Sequence, residues 1–204
     1  MINRDNFYFN YIDIPYDLNE VQTFYTHNHI PKGYFTIQDI NVVLQALPSI
    51  KKWFEDNNCK PNKVAYISTS ANIVQPPHKD NSDQMLAVNF PVDNCDEVKT
   101  VFYDDTDVRS VLLHTQATNI PYHHYLLGGK EPITQYILSG PVILNVKKIH
   151  SVVNTSNKNR VSLSCFYMYF YPGLCFSQYF SFYFLLISVI LSSSSDSSRY
   201  CLSK

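Results

Sequence analysis

The stretch Arg160-Val161-Ser162-Leu163-Ser164-Cys165-Phe166-Tyr167-Met168 decides the fold. Val161, Leu163, Cys165 and Tyr167 fall on one face of an extended chain and Ser162, Ser164, Phe166 and Met168 on the other, the period of a strand rather than a helix. Arg160 and Ser162 then point the same way. Five further runs upstream have β texture between Pro, Asn and Asp: 64–70, 84–92, 98–103, 133–138 and 142–149. Together with 160–170 they predict an all-β sandwich or barrel.

Before Lys63 the pattern changes. Thr36 followed by Asp39 resembles a capping box, and Ile37, Ile40, Val43, Leu44 and Leu47 recur at helical spacing until Pro48 interrupts them. Trp53 and Phe54 extend that apolar face, and Asp17 to Thr26 reads as a shorter helix with Val21, Phe24 and Tyr25 inward. The chain thus divides into a helical flank over 1–62, a β core over 63–171 and a tail over 172–204.

The tail is compositionally foreign. All 18 asparagines precede position 160, no charged residue lies between Val161 and Ser195, and Leu174–Leu191 is an 18-residue apolar stretch broken only by Ser177, Gln178, Ser181 and Ser188. That length can just span a bilayer, although its serine content is high for a spanning helix. A membrane anchor, an accidental extension of a chain that once ended near Phe170, and a buried core segment all fit it.

Composition also bounds the function. The chain has 204 residues, 45% apolar, and 16 Lys+Arg nearly cancel 17 Asp+Glu, so no large field holds nucleic acid or an anionic membrane by charge alone. Five cysteines without CxxC spacing argue against a disulfide framework or structural zinc, and residues 1–30 show no secretory signal. A reducing cytoplasm is the expected location, or the membrane if 174–191 anchors the chain.

The chemistry concentrates at four residues. His78 and Asp80 follow Pro76-Pro77, and an extended backbone puts both on one side, where they can reach one ion. With His150 they make two imidazoles and a carboxylate, a set that leaves open positions on a non-haem Fe(II) ion. A lone His-x-Asp is weak, since chance supplies roughly 0.4 such pairs in a chain of this composition. The second half of the pattern strengthens it: Arg160 stands ten residues after His150, with Ser162 beside it. A guanidinium fork next to a hydroxyl suits a carboxylate.

His78-x-Asp80, then His150, then Arg160-x-Ser162 resembles the Fe(II)/2-oxoglutarate-dependent dioxygenase superfamily, over roughly Val64 to Tyr169. The resemblance implies a mainly β fold, a double-stranded β-helix (jelly-roll) core with N-terminal flanking helices. It implies Fe(II) bound by His78, Asp80 and His150, and 2-oxoglutarate held at its distal carboxylate by Arg160 and Ser162. Asn89 and Tyr66 sit on strands that often hydrogen-bond the cosubstrate. The implied reaction is a hydroxylation using O2 on an unidentified substrate, a protein side chain or small metabolite before a nucleic acid, with succinate and CO2 released. A non-catalytic cupin-like metal-binding protein and a membrane-attached interaction protein are the alternatives. With only Gly128, Gly129 and Gly140 in the β core, its turns fall to Asn, Asp and Pro.

Other features have plainer readings. His123-His124, in the strand-poor stretch 104–130, reads as a substrate mouth or a polar surface turn. His27 and His29 read as packing or surface residues, and Asp104-Asp105-Thr106-Asp107 as a solvated hairpin, since it lacks an EF-hand's glycine and glutamate.

Overall fold

A computed structural model describes residues 8–27, 35–57, 59–80, 84–114 and 121–168. The tail over 172–204 and His29 lie outside the described residues. In chain order the elements are β1 (Phe9–Tyr11), α1 (Leu18–His27), β2 (Phe35–Gln38), α2 (Ile40–Ala46), α3 (Pro48–Asp56), β3 (Lys63–Thr69), β4 (Ile73–Val74), β5 (Gln84–Asp93), β6 (Lys99–Phe102), β7 (Arg109–His114), β8 (Pro121–Leu126), β9 (Thr134–Ile137), β10 (Val142–Asn145), β11 (His150–Asn154) and β12 (Arg160–Met168).

Two antiparallel sheets face each other. The larger runs β1-β10-β5-β12-β3-β2 and the smaller β4-β11-β6-β9. The eight strands β3 to β6 and β9 to β12 contribute four to each sheet, and their order, 3-12-5-10 against 4-11-6-9, is that of a jelly-roll double-stranded β-helix. β7 and β8 form a separate hairpin.

The alternation in β12 separates two environments. Val161, Leu163, Cys165 and Tyr167 join Val64, Tyr66, Val88 and Phe90 in a core shared with Val21, Phe24, Leu47, Ile50 and Phe54 of the helices. Fully burying each of these larger apolar side chains contributes roughly 1.5–3 kcal/mol. On the other face Phe166 packs with Ala65, Ala87, Phe102, Tyr136, Val142 and Leu144 between the sheets. Arg160, Ser162 and Ser164 share that inner face and are buried.

The helical flank differs from its sequence reading in three ways. Thr36 and Ile37 belong to β2, paired with Tyr66 and Ala65 of β3, so the chain is extended up to Gln38. Asp39 caps α2 instead, its Oδ1 accepting from the Asn41 and Val42 N–H groups at 2.8 and 3.1 Å. Pro48 opens α3 at its first turn, where a missing N–H is harmless. β1 and β2 are too short to show a period, yet both extend the large sheet.

Turns inside the β core use the expected residues. Asn72, Asn94 and Asp107 adopt φ of 54°, 47° and 52°, a left-handed conformation that Asn and Asp tolerate best after glycine. The stretch 104–130, in contrast, holds the β7–β8 hairpin. Its strands lacked signal because Val111, Leu112 and Leu113 are exposed alike, so no buried face imposed alternation. His123 and His124 are therefore strand residues.

Candidate metal centre

The stretch leading to His78 runs alongside β11. His78 and His150 are paired across an antiparallel bridge, and the Asp80 N–H donates to the Val146 carbonyl at 3.0 Å. One ligand atom each of His78, Asp80 and His150 can lie within 4.8 Å of the others. The Nε2 atoms of His78 and His150 stand 3.6 and 3.7 Å from Asp80 Oδ1. Two ligand atoms each about 2.1 Å from one ion lie about 3.0 Å apart at a right angle and about 3.6 Å apart at 120°.

Both rings are held by their other nitrogen. His78 Nδ1 meets the Pro76 carbonyl at 2.8 Å and His150 Nδ1 the Lys148 carbonyl at 2.9 Å. A carbonyl only accepts, so each Nδ1 carries a proton and leaves Nε2 as the nitrogen that faces Asp80 and can bind an ion. Burial pushes the His78 imidazole down to about 4, His150's charge adds to this and Asp80 opposes it. The ring is thus kept neutral, the form that binds metal.

Deeper between the sheets lies a second polar group. Arg160 is 2% exposed, and its Nε and Nη2 have no hydrogen-bond partner; neither have Ser162 Oγ, Asn89 Oδ1 or the Tyr136 hydroxyl. Burial raises the Tyr136 phenol, while Arg160's charge and the Thr100 and Asn89 side chains near its hydroxyl act the other way. An aromatic path joins the two groups: the Phe102 ring lies 5.8 Å from His150 and 6.2 Å from Tyr136. Buried polar atoms are nearly always paired in native proteins, so the unpaired Arg160 Nε and Nη2 donors with the Ser162 hydroxyl beside them fit a carboxylate ligand.

The turn before Arg160 is tied by asparagine. Asn154 Nδ2 donates to the Thr69, Ser70 and Lys158 carbonyls at 2.9–3.1 Å. This fixes where β12 begins and so where the guanidinium enters.

No family model matches the chain, and no curated protein matches it. Solved structures do. HygX from Streptomyces hygroscopicus, with nickel and 2-oxoglutarate bound, is 11% identical over 80% of this chain and 83% of that one, with a TM-score of 0.48. A Pseudomonas putida prolyl-4-hydroxylase is 9% identical over 80% and 86%, with a TM-score of 0.44. The non-heme α-ketoglutarate-dependent carbocyclase SnoK from nogalamycin biosynthesis is 10% identical over 80% and 80%, with a TM-score of 0.45.

Of the residues singled out in the sequence, His78, Asp80 and His150 come together, and Arg160, Ser162 and Asn89 form the deeper group. Tyr66 joins neither. It points to the helix layer, where its hydroxyl donates to the Val21 carbonyl at 3.4 Å and its ring meets Phe24 and Tyr25, because it is out of phase with the inner-facing Ala65 of β3. Its expected hydrogen bond to a cosubstrate is thereby corrected. Tyr136 was missed: β9 is four residues long, too short to reveal which residue faces inward. His27 is exposed and binds its own helix through the Thr23 carbonyl at 2.9 Å. Asp104 and Asp105 pair with Lys130, Lys79 and Lys148 at the surface. Among the described residues no helix is long and apolar enough to cross a membrane.

Proposed function

We propose that the chain is an Fe(II)- and 2-oxoglutarate-dependent oxygenase, a hydroxylase of an unidentified substrate. The observation that carries this reading is the buried Arg160, unpartnered at Nε and Nη2, which faces the space between the sheets from β12 while His150 of the His-Asp-His cluster faces it from β11. The donor set fits a divalent ion such as Fe(II), since two neutral imidazoles and one carboxylate leave other coordination positions open.

In this reading His78 and His150 bind the ion through Nε2, with the Pro76 and Lys148 carbonyls fixing the tautomers, and Asp80 supplies the anionic ligand. Arg160 and Ser162 hold the distal carboxylate of 2-oxoglutarate, with Asn89 and Tyr136 at hand for its remaining lone pairs. Bound iron supplies the redox chemistry that couples decarboxylation of 2-oxoglutarate by O2, yielding succinate and CO2, to oxidation of a substrate C–H bond. Phe102, whose ring meets both His150 and Tyr136, lines the space between the two groups.

The deciding experiment measures succinate formed from 2-oxoglutarate by the full chain with Fe(II) and O2. Turnover above the metal-free control supports the reading. Absence of both 2-oxoglutarate binding and turnover in a protein that binds metal sinks it.

A further inference from the structure

The β7–β8 hairpin is attached to the metal-bearing strand itself. His124 is paired with His78 in an antiparallel bridge, and the Tyr125 N–H donates to the Pro77 carbonyl at 2.9 Å. Residues facing each other across antiparallel strands project to the same side of the sheet. His78 also faces His150, so His124 shares the face that carries the metal cluster. Its Nδ1 is buried and has no hydrogen-bond partner.

The rest of that hairpin face follows from alternation and register. Tyr122 and Leu126 flank His124 on β8, and Leu113, Val111 and Arg109 stand opposite them on β7. Val111, Leu113 and Leu126 are 40%, 41% and 48% exposed. Side chains this apolar beside a polar cluster mark a surface that takes a ligand. The lysines around the cluster add little charge, because Lys79 and Lys148 face Asp105 and Lys130 faces Asp104.

We propose that this hairpin face is the substrate-recognition surface of the metal site, with His124 as the residue that hydrogen-bonds the substrate. The proposal rests on the oxygenase reading and adds the substrate class: a molecule with an apolar body and a hydrogen-bonding group such as an amide, and not a sugar or polyanion. Arg109, at the open end of the face, accepts one acidic group if the substrate carries it.

The test uses the full chain loaded with Mn(II) and 2-oxoglutarate, and reads paramagnetic broadening of the NMR signals of three probes: N-acetyl-leucinamide, N-acetyl-leucine and glucose. Both leucine compounds should be broadened and glucose not. His124→Ala and the exposed Leu113→Ser should each reduce the effect by about tenfold in ligand affinity, and His124→Gln, which keeps a donor and an acceptor, should retain most of it. Broadening of glucose equal to that of the leucine probes overturns the proposal. So does full retention of broadening in His124→Ala, or a hairpin that only mediates dimerisation, seen as Leu113→Ser changing size-exclusion behaviour and leaving the probes unaffected. If the unsubstituted protein fails to bind Mn(II), the oxygenase reading falls separately. Saturation transfer from metal-free protein to the leucine probes then decides the hairpin surface: transfer lost in Leu113→Ser upholds it, and no transfer overturns it.

Discussion

The peptide groups of His78 and His150 hydrogen-bond each other in both directions at 2.9 Å, and their rings stand 4.5 Å apart between centroids. The backbone, not the side chains, therefore sets the spacing of two proposed metal ligands that lie 72 positions apart in the sequence. The cluster is prebuilt before any ion arrives.

His78→Ala and His150→Ala follow from that. Each leaves the bridge between the two peptide groups intact, so the thermal transition of the metal-free protein persists. Each removes one of three ligands, which should weaken Mn(II) binding by more than the about 10–100-fold typical of losing an outer partner of a ligand. Calorimetric titration with Mn(II) reads this. Unchanged affinity in both variants would mean that the ion binds elsewhere.

Arg160 makes opposite demands on stability and binding. A guanidinium buried with two unpartnered nitrogens is a liability in the ligand-free chain. Arg160→Met should therefore stabilise the ligand-free protein by about 1–3 kcal/mol, the scale of an unsatisfied buried group. The same change should weaken 2-oxoglutarate binding by about 2–5 kcal/mol at saturating Mn(II), as when a buried carboxylate loses its charged partner. Denaturant melts and calorimetry check the two halves. A destabilised variant with unchanged 2-oxoglutarate affinity would assign Arg160 a purely structural role.

How much of this was legible in the sequence depended on length and on burial. β12 is nine residues long with both faces buried, so its two different faces wrote an unbroken alternation. The proposed ligand set was readable because a strand's period places His78 and Asp80 on one side whatever the rest of the fold does. β7 left no trace because an exposed strand needs no apolar face, and with it went the hairpin and the position of His124. Tyr66 and Tyr136 show the other limit: a tyrosine on a strand gives no sign of its direction. Only the phase against inner-facing neighbours, Ala65 for one and Thr100 across from the other, separates them.

That phase difference gives a paired test. Tyr136→Phe removes a hydroxyl beside Arg160 and should weaken 2-oxoglutarate binding by about 0.5–1.5 kcal/mol, the net worth of one hydrogen bond. Tyr66→Phe removes a hydroxyl bonded to the Val21 carbonyl and should leave that affinity unchanged while lowering stability slightly. The reverse pattern would put Tyr66, and not Tyr136, at the cosubstrate.

Acid should act on the metal-free protein through His78. Burial holds its imidazole neutral down to about 4, whereas in the unfolded chain it titrates near 6.5. Above pH 6.5 neither state binds the proton and the residue contributes no pH dependence. Between 6.5 and 4 the unfolded chain takes up a proton that the folded chain refuses, so stability falls as pH falls through that window. Melting temperatures of metal-free protein at pH 7, 6 and 5 should therefore decline, and His78→Asn, with no titrating ring at that position, should decline less. Mn(II), which competes with protons for the same Nε2, should raise the melting temperature most at pH 7 and progressively less below it. Equal slopes for His78→Asn and the unsubstituted protein would show that other groups govern the acid response.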